Sequence, residues 1–329
     1  MGKIDVGTNT FMGEPARIAD LLNGFVYRGE ERVKAEEVHE LRNVLHRQGN
    51  GDSVQTVMAD VVTEVGKDMH TLIVVLENQT DIHYAMPVRM MNLEAMGYHR
   101  QWRKAAGAHA KNKDLEGAEY LSGFAKEEKL KPMLPIVLYF GKEVWDGPKN
   151  LKDMINLDGY PREICALLTD YPLHLIEVRR YEEYENFHTD LREVFGFLQR
   201  AEDKEKLREY LRDNEQAFAN LSTDAYDMIS IMGHSRELQE IREKYHEEKG
   251  GKSNMCQAIK DMIEDGRQEG VQIGRQEGVQ IGNQEGRIQE YIDIRREDNY
   301  SDDTIRAGII VRFHLSEEAA DQYMNYKAL

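Results

Sequence analysis

Apolar residues recur with a helical spacing near the start of the chain. Ile18, Leu21 and Leu22 fall on one stripe, and Pro15 lies in the first turn that this stripe defines. Proline is favoured at the start of a helix, where its missing N–H has no partner to lose. The pattern therefore predicts an amphipathic helix that begins at Pro15.

Continuous apolar runs further along predict strands that are buried on both faces. A Met-rich stretch with helical spacing separates the second run from the third, and its methionines are expected to pack in the core. A charged stretch at residues 33–47 predicts a helix, and HRQGNGDS predicts a loop. The predicted strands are VQTVMADVVTEV and MHTLIVVLENQ, joined by GKD, then KPMLPIVLYFGKEVWDG and LHLIEV.

The order helix, strands, helix, strand predicts an α/β fold with a mixed sheet flanked by helices. A mainly helical C-terminal region follows, beginning at TDLREVFGFLQRAEDKEKLREYL. Two short helices are predicted near the end, the second capped by Ser316. The predicted divisions are a sheet domain at 1–180, a helical region at 181–260, a glycine-repeat element at 261–290 and a small helical tail at 291–329.

A glycine recurs at every fourth position from Gly266 to Gly286. One interpretation is a flexible linker, since interior glycines cost a helix roughly 1 kcal/mol each relative to alanine. The other is a helix whose glycines wind slowly around one side and let a second backbone approach closely. The second interpretation predicts a homo-oligomer assembled through residues 266–286.

The formal net charge of −17 argues against a generic nucleic-acid binder. Residues 1–156 contain 20 Lys and Arg against 23 Asp and Glu, a net charge of −3. Residues 157–329 contain 23 against 37, a net charge of −14, so the acidity belongs mainly to the second half. The nearly balanced first half leaves room for a local basic groove.

The two cysteines, Cys165 and Cys256, lie far apart and form no CxxC or Cys/His motif. This spacing indicates neither a disulfide framework nor a zinc site, and it predicts a cytoplasmic protein. No segment has the apolar length that crosses a bilayer, so membrane insertion is not expected.

The apolar run LIVVL ends on Glu77 and Gln79, which share a strand face with Val75. If the hairpin turns at GKD, Asp60 falls opposite Val75 on that same face, about 7 Å from Glu77 along a diagonal. Two carboxylates so placed can share a divalent cation. The alternative is a strand that simply reaches solvent and ends in polar residues.

Several motifs in fixed order resemble the Rpn family of recombination-promoting nucleases, which also carries a transposase label. These motifs are ADVV, ENQ, IHYAMPVRMM, YHRQ, LYFGKEVWDGP and the Gly-Arg/Gln-Glu repeat. The resemblance covers residues 1–290 and implies that 1–180 form a nuclease-like domain of the PD-(D/E)xK superfamily.

By this resemblance Asp60 and Glu77 are catalytic and bind the metal, and Gln79 stands where most of the superfamily has lysine. Asp20 is similar to an acid that the first helix contributes to the metal, with an ordinary solvated acid as the alternative. Gln101 in YHRQ matches a supporting helical glutamine, with a surface glutamine as the alternative. The implied ion is Mg²⁺, with Mn²⁺ as a substitute.

The implied function is a metal-dependent DNA endonuclease that hydrolyses phosphodiester bonds in recombination, mobile-element activity or defence. DNA is then the partner. The alternative is a catalytically weak, oligomeric DNA-binding or regulatory module. Nothing in these residues indicates strand transfer.

Overall fold

The computed structural model describes residues 3–41, 44–48, 54–67, 70–233, 235–240, 246–247 and 252–325. The chain forms two compact units, Met1–Ile259 and Lys260–Leu329. The divisions predicted near residues 180 and 290 remain predictions.

The first unit contains strands and helices, and the second is helical. The strands are β1 (Val38–Glu40), β2 (Val44–Gln48), β3 (Val54–Met58), β4 (Val61–Lys67), β5 (His70–Gln79), β6 (Met133–Tyr139), β7 (Leu175–Glu177), β8 (Leu221–Ser222), β9 (His246–Glu247) and β10 (Lys252–Ser253). The helices are α1 (Lys3–Met12), α2 (Pro15–Phe25), α3 (Met86–Asn112), α4 (Gly117–Ser122), α5 (Arg162–Leu167), α6 (Leu191–Arg200), α7 (Lys204–Asp213), α8 (Glu215–Phe218), α9 (Thr223–Met232), α10 (Arg236–Glu240), α11 (Met255–Glu297), α12 (Asp302–Phe313) and α13 (Glu317–Asn325).

In the part of the chain that the structure describes, the main sheet has five strands in the order β1-β4-β5-β6-β7. The β1–β4 and β4–β5 pairs are antiparallel, and the β5–β6 and β6–β7 pairs are parallel. Parallel neighbours need a long crossover. Helix α3 lies in the crossover between β5 and β6, so the predicted mixed sheet flanked by helices is confirmed.

The prediction for residues 33–47 and for HRQGNGDS was partly wrong. In place of the charged helix, the structure has β1 and β2, and β2 pairs with β3 in an antiparallel hairpin. The first three residues of HRQGNGDS belong to β2, while 49–53 lie outside the described residues. Residues 44–48 read VLHRQ and do not alternate between apolar and polar, so the sequence pattern did not reveal this strand.

The predicted strand VQTVMADVVTEV is interrupted at Ala59 and Asp60. This break separates β3 from β4. In the β4–β5 hairpin, Lys67 pairs with His70. Val75 pairs with Val62, and Leu76 pairs with Val61. The prediction that Asp60 lies opposite Val75 was therefore wrong by two residues, and Asp60 lies just beyond the end of the β4–β5 ladder.

One face of the sheet packs against α3. The buried methionines Met86, Met90 and Met96 project from α3 into this core, which confirms the prediction for the Met-rich helix. The core continues through Trp145, whose ring meets Tyr139 edge-on with centroids 5.1 Å apart. Because side chains alternate along β5, its odd-numbered residues, including Val75, face α3.

The opposite face carries α1 and α2. Helix α1 contacts β5 and α9, and α2 contacts β1. Arg17 of α2 is buried and donates through Nε to Asp190 Oδ1 at 2.8 Å and through Nη1 to the Phe11 carbonyl at 2.8 Å. The helix predicted to begin at Pro15 is confirmed.

The second unit consists of the part of α11 from Lys260 onward, α12 and α13. Ile288, Ile292, Ile305, Ile309 and Ala320 form its buried core. The two predicted terminal helices are confirmed, and the Ser316 hydroxyl accepts a hydrogen bond from the Ala319 N–H at 3.2 Å, as a cap does. The glycine repeat lies within α11 and is helical.

Across the described residues, we find no helix that combines the length and apolarity needed to span a bilayer.

Candidate active site

Glu77 lies near the end of β5 with a side chain that is 0% exposed. It pairs with Val137 of β6 and faces α3. Placing a carboxylate there is costly, because an ionised group loses its hydration when it is buried. A buried acid at this position needs a positive partner.

Arg89, in the first turns of α3, supplies a positive charge to Glu77. Its Nη2 donates to Glu77 Oε2 at 2.7 Å, and its side chain remains 37% exposed. Pro87 in the first turn of α3 fixes where the helix begins and so sets the position of Arg89. Arg89 therefore contacts the buried carboxylate at one end and remains accessible to solvent.

The second oxygen of Glu77, Oε1, is buried and has no hydrogen-bond partner among the described residues. Eight buried side-chain N and O atoms of the described residues lack a hydrogen-bond partner, and Glu77 Oε1 is the carboxylate oxygen among them. A bound cation would satisfy it.

Burial raises the pKa of Glu77 to about 7, although Arg89 opposes this change. The charge of Asp60 raises the pKa further, so the structure brings Asp60 within electrostatic reach of Glu77. A nearby negative charge disfavours ionisation of Glu77. A divalent cation would reverse this effect because it favours the charged form of the carboxylate.

Asp60 occupies the break between β3 and β4, where its side chain bonds to two asparagines. Its Oδ2 accepts the Asn78 backbone N–H at 2.7 Å, and its Oδ1 accepts from Asn9 Nδ2 at 3.2 Å. Asn78 Nδ2 in turn donates to Asn9 Oδ1 at 2.9 Å. These contacts hold Asp60 at the end of β5, beside the residue that follows Glu77.

A cavity of about 10 Å³ adjoins Asp60, a volume that suits one water-sized group. Asn78 Oδ1 is buried without a hydrogen-bond partner among the described residues. The cavity is lined by Thr8, Asn9, Asp60, Asn78, Thr80, Phe140 and Met232. It is therefore rich in oxygen atoms.

Gln79 is two residues beyond Glu77 on the same strand face and pairs with Tyr139 of β6. Its carbonyl accepts the Phe140 N–H at 2.8 Å. Its half-buried carboxamide has no hydrogen bond to another described side chain. The group is therefore available for a substrate or water.

The structure does not bring Asp20 to this site. The Asp20 carboxylate accepts the His188 N–H at 2.9 Å, the Thr189 N–H at 2.7 Å and the Thr189 hydroxyl at 2.6 Å. It lines a different cavity, together with Asn186 and His188. Its geometry indicates a structural role that ties α2 to the segment before α6, and we leave it out of the proposed metal site.

Gln101 lies away from the site as well. Its Nε2 donates to the Lys131 carbonyl at 3.1 Å, and its Oε1 accepts the Lys131 N–H at 2.8 Å. Lys131 precedes β6, whose first residue, Met133, pairs with Ile73. Since Lys131 lies two residues before Met133, Gln101 is about six strand residues, or roughly 20 Å, from the level of Glu77.

Sequence reasoning missed three residues that contact the site: Asn9, Asn78 and Arg89. Arg89 is part of the quoted motif MPVR, and its position one turn into a helix that follows Glu77 was the available signal. Asn78 lies between the two predicted site residues on β5 but faces the opposite side of the sheet.

In the described ranges no group of three or more His, Cys, Asp and Glu side chains is arranged to hold a metal ion. The residues present nevertheless fit Mg²⁺, which is commonly held by one or two carboxylates and completes its shell with waters and substrate phosphate. The unsatisfied Glu77 Oε1 is the observation that supports this fit.

The chain matches no protein-family model, no curated protein and no solved structure. The resemblance to the Rpn family therefore stays a prediction.

The raised pKa of Glu77 predicts a pH-dependent stability in the absence of metal. Between the usual value of 4.5 and about 7, the folded protein holds a proton that the unfolded chain has released. The free energy of unfolding should therefore fall as pH rises through this window, by up to about 3 kcal/mol. Urea unfolding in EDTA at pH 5 and pH 8 would measure the decrease.

Glu77→Gln is the matched control, because it keeps the shape and cannot ionise. Between pH 5 and pH 8 the free energy of unfolding should fall less in this variant than in the wild type, and the difference should equal the contribution predicted for Glu77. Added Mg²⁺ should restore stability at pH 8 in the wild type only. Identical pH dependence in the two proteins would contradict the assigned environment of Glu77.

Proposed function

We propose that this chain is a Mg²⁺-dependent DNA endonuclease with the PD-(D/E)xK fold. The observation that supports this most is the buried Glu77, which has one oxygen paired with Arg89 and the other without a partner, beside a second acid, Asp60. Participation in recombination, mobile-element activity or defence is part of the same proposal.

Glu77 Oε1 and the Asp60 carboxylate are the proposed metal ligands. When bound, Mg²⁺ lowers the pKa of water and offsets the negative charge that develops on the phosphate. Arg89 holds Glu77 Oε2 and thereby leaves Oε1 for the ion. The asparagines around Asp60 fix its carboxylate before the metal arrives.

Gln79 is proposed to orient the attacking water by hydrogen bonding, since a carboxamide offers both a donor and an acceptor but no charge. Arg89 then provides the positive charge that lysine supplies in most of the superfamily. Only one of its five donor N–H groups is used by Glu77, and its side chain is partly exposed. The free donors suit a phosphate oxygen.

The second candidate is a catalytically weak DNA-binding or regulatory module. It is favoured by the small number of acids at the site and by the carboxamide, in place of a lysine ammonium, at position 79. Cleavage experiments separate the two candidates.

Removal of either metal ligand should abolish cleavage. Asp60→Ala and Glu77→Gln should each lower the rate at which supercoiled plasmid is nicked in Mg²⁺ by at least about 100-fold. Glu64→Gln, which changes a β4 carboxylate paired with Lys131, should retain the rate. Fully active, folded Glu77→Gln protein would contradict the site, and binding without cleavage by the wild type would favour the second candidate.

Moving the positive charge from Arg89 to position 79 tests which residue must carry it. Gln79→Lys alone should keep or raise the nicking rate, whereas Arg89→Met should lower it by roughly 100-fold because the phosphate loses its cationic partner. The double variant should recover part of that decrease. If Arg89→Met and the double variant are equally slow while both remain folded, Arg89 does more than supply charge.

Self-association through α11 is the second part of the proposal. A Cβ added at any of the six glycines of the repeat would meet no atom within 4 Å apart from the adjacent backbone of α11 itself; these glycines are Gly266, Gly270, Gly274, Gly278, Gly282 and Gly286. Val271, Ile273, Val279 and Ile281 are each about half exposed. Ile288, which follows the repeat, does not belong to this surface, because it is buried in the core of its own unit.

An isolated helix with six glycines is costly, at roughly 1 kcal/mol for each glycine relative to alanine. Contact with the same helix of a second copy would offset this cost by burying the valines and isoleucines. A symmetric homo-oligomer would bring two nuclease sites to one DNA.

The oligomer is predicted to depend on the exposed apolar residues of the repeat. Light scattering should give a mass of at least two chains for the wild type and one chain for the Ile273→Asp, Ile281→Asp double variant, because buried aspartates oppose the contact. Ile263→Asp, also at an exposed position of α11 but before the repeat, is the matched control. Equal masses per chain for the wild type and for a chain ending at residue 259 would contradict the proposal.

A further inference from the structure

Helix α3 has a strongly basic exposed face in a protein whose net charge is −17. Between Met86 and Asn112 the only acid is Glu94, whereas five residues are Arg or Lys. These cationic residues are Arg89, Arg100, Arg103, Lys104 and Lys111. We call these five residues the α3 basic stripe.

The stripe occupies one side of the helix. At 3.6 residues per turn, its five members fall within an arc of about 100°, and the stripe is about 33 Å long. Glu94 lies outside this arc, about 140° from Arg89. Arg100, Arg103, Lys104 and Lys111 are exposed.

The last four members have no ion pair and no side-chain hydrogen bond to another described residue, whereas Arg17, Lys149 and Arg306 are each paired with an acid. Two acids that line the cavity beside Arg100 and Lys104 already have partners. Glu64 is bound by Lys131, and Glu128 lies 3.1 Å from His109 Nε2. The positive field of the stripe is therefore not cancelled by these neighbours.

The stripe is continuous with the candidate active site. Its first member, Arg89, holds Glu77, and the other four extend from there along the same helix. We infer that the α3 basic stripe binds the phosphate backbone of duplex DNA and guides it to Glu77. The five charges spread over about 33 Å of helix, with four of them in its second half, and this spread matches a linear polyanion better than a small anionic ligand, which needs a single cluster.

This inference rests on the proposed function for the identity of the substrate, but it is tested by binding and not by cleavage. Neutralising Arg100, Arg103, Lys104 and Lys111 leaves Arg89 and both proposed metal ligands intact. Glutamine is a suitable replacement because it is a good helix former and lacks charge.

The test measures binding of a fluorescent 20-base-pair duplex to the full chain carrying Asp60→Ala, at several salt concentrations. Adding Arg100→Gln, Arg103→Gln, Lys104→Gln and Lys111→Gln should raise the dissociation constant at 100 mM salt on the order of 100- to 1,000-fold. The slope of log affinity against log salt should fall in magnitude by about 0.9 for each phosphate that the variant no longer binds.

The matched control removes four exposed cations from other parts of the chain: Arg162→Gln, Arg192→Gln, Lys204→Gln and Arg208→Gln. It gives the same net charge but should leave the dissociation constant within about threefold, because these cations do not touch the duplex. Arg100→Lys with Arg103→Lys keeps the charge and should also retain binding. If circular dichroism shows that the fourfold α3 variant is unfolded, the pairs Arg100→Gln with Lys104→Gln and Arg103→Gln with Lys111→Gln replace it.

An equal decrease in affinity in the α3 variant and the control, or no decrease in either, would overturn the inference. Tighter binding of single-stranded DNA or of an acidic peptide, with no dependence of duplex binding on the stripe, would overturn it as well. If the wild type cleaves DNA but the dissociation constant for duplex is unchanged by the α3 substitutions, only this inference fails. If it never cleaves but binding depends on the stripe, the nuclease proposal fails and this inference stands.

Discussion

The ion pair between the buried Glu77 and the partly exposed Arg89 is the constraint on which the rest of the structure depends. A carboxylate with no exposure, at the end of a central strand, is tolerated because α3 places a guanidinium 2.7 Å from one of its oxygens. That single contact leaves the other oxygen unsatisfied, and burial keeps the pKa of the acid raised. A buried ion pair adds little to the stability of a fold, because desolvation of the charges offsets their attraction. Buried acids with a raised pKa are typical of functional sites.

Helix α3 serves this site in two ways, because its two sides have opposite character. The buried side carries methionines that complete the core over β5 and β6. The exposed side carries Arg89 and the remaining basic stripe. The packing of the helix therefore determines the position of the charges, and the proposed chemistry at Glu77 and the proposed binding of DNA rest on the same element.

Much of the fold followed from hydrophobic pattern, including α2, α3 and the strands that surround Glu77. The position of Asp60 was harder to predict, since the GKD segment allows more than one hairpin register and the observed register differs from the expected one by two residues. Arg89 was missed because a charge on an amphipathic helix usually points to solvent. Asp20 was assigned by resemblance alone, and its bonds to the backbone at His188 and Thr189 join segments too distant in sequence for any local pattern to reveal.

The central claim is that the unsatisfied oxygen of Glu77 is a metal ligand. Crystals of the wild-type chain grown with saturating Mn²⁺ test this directly by anomalous diffraction. The account predicts a peak within about 2.0–2.3 Å of Glu77 Oε1 and of an Asp60 oxygen, with Arg89 still bound to Oε2. Absence of a peak there at saturating Mn²⁺, or a peak held by Asp20 instead, would contradict the account.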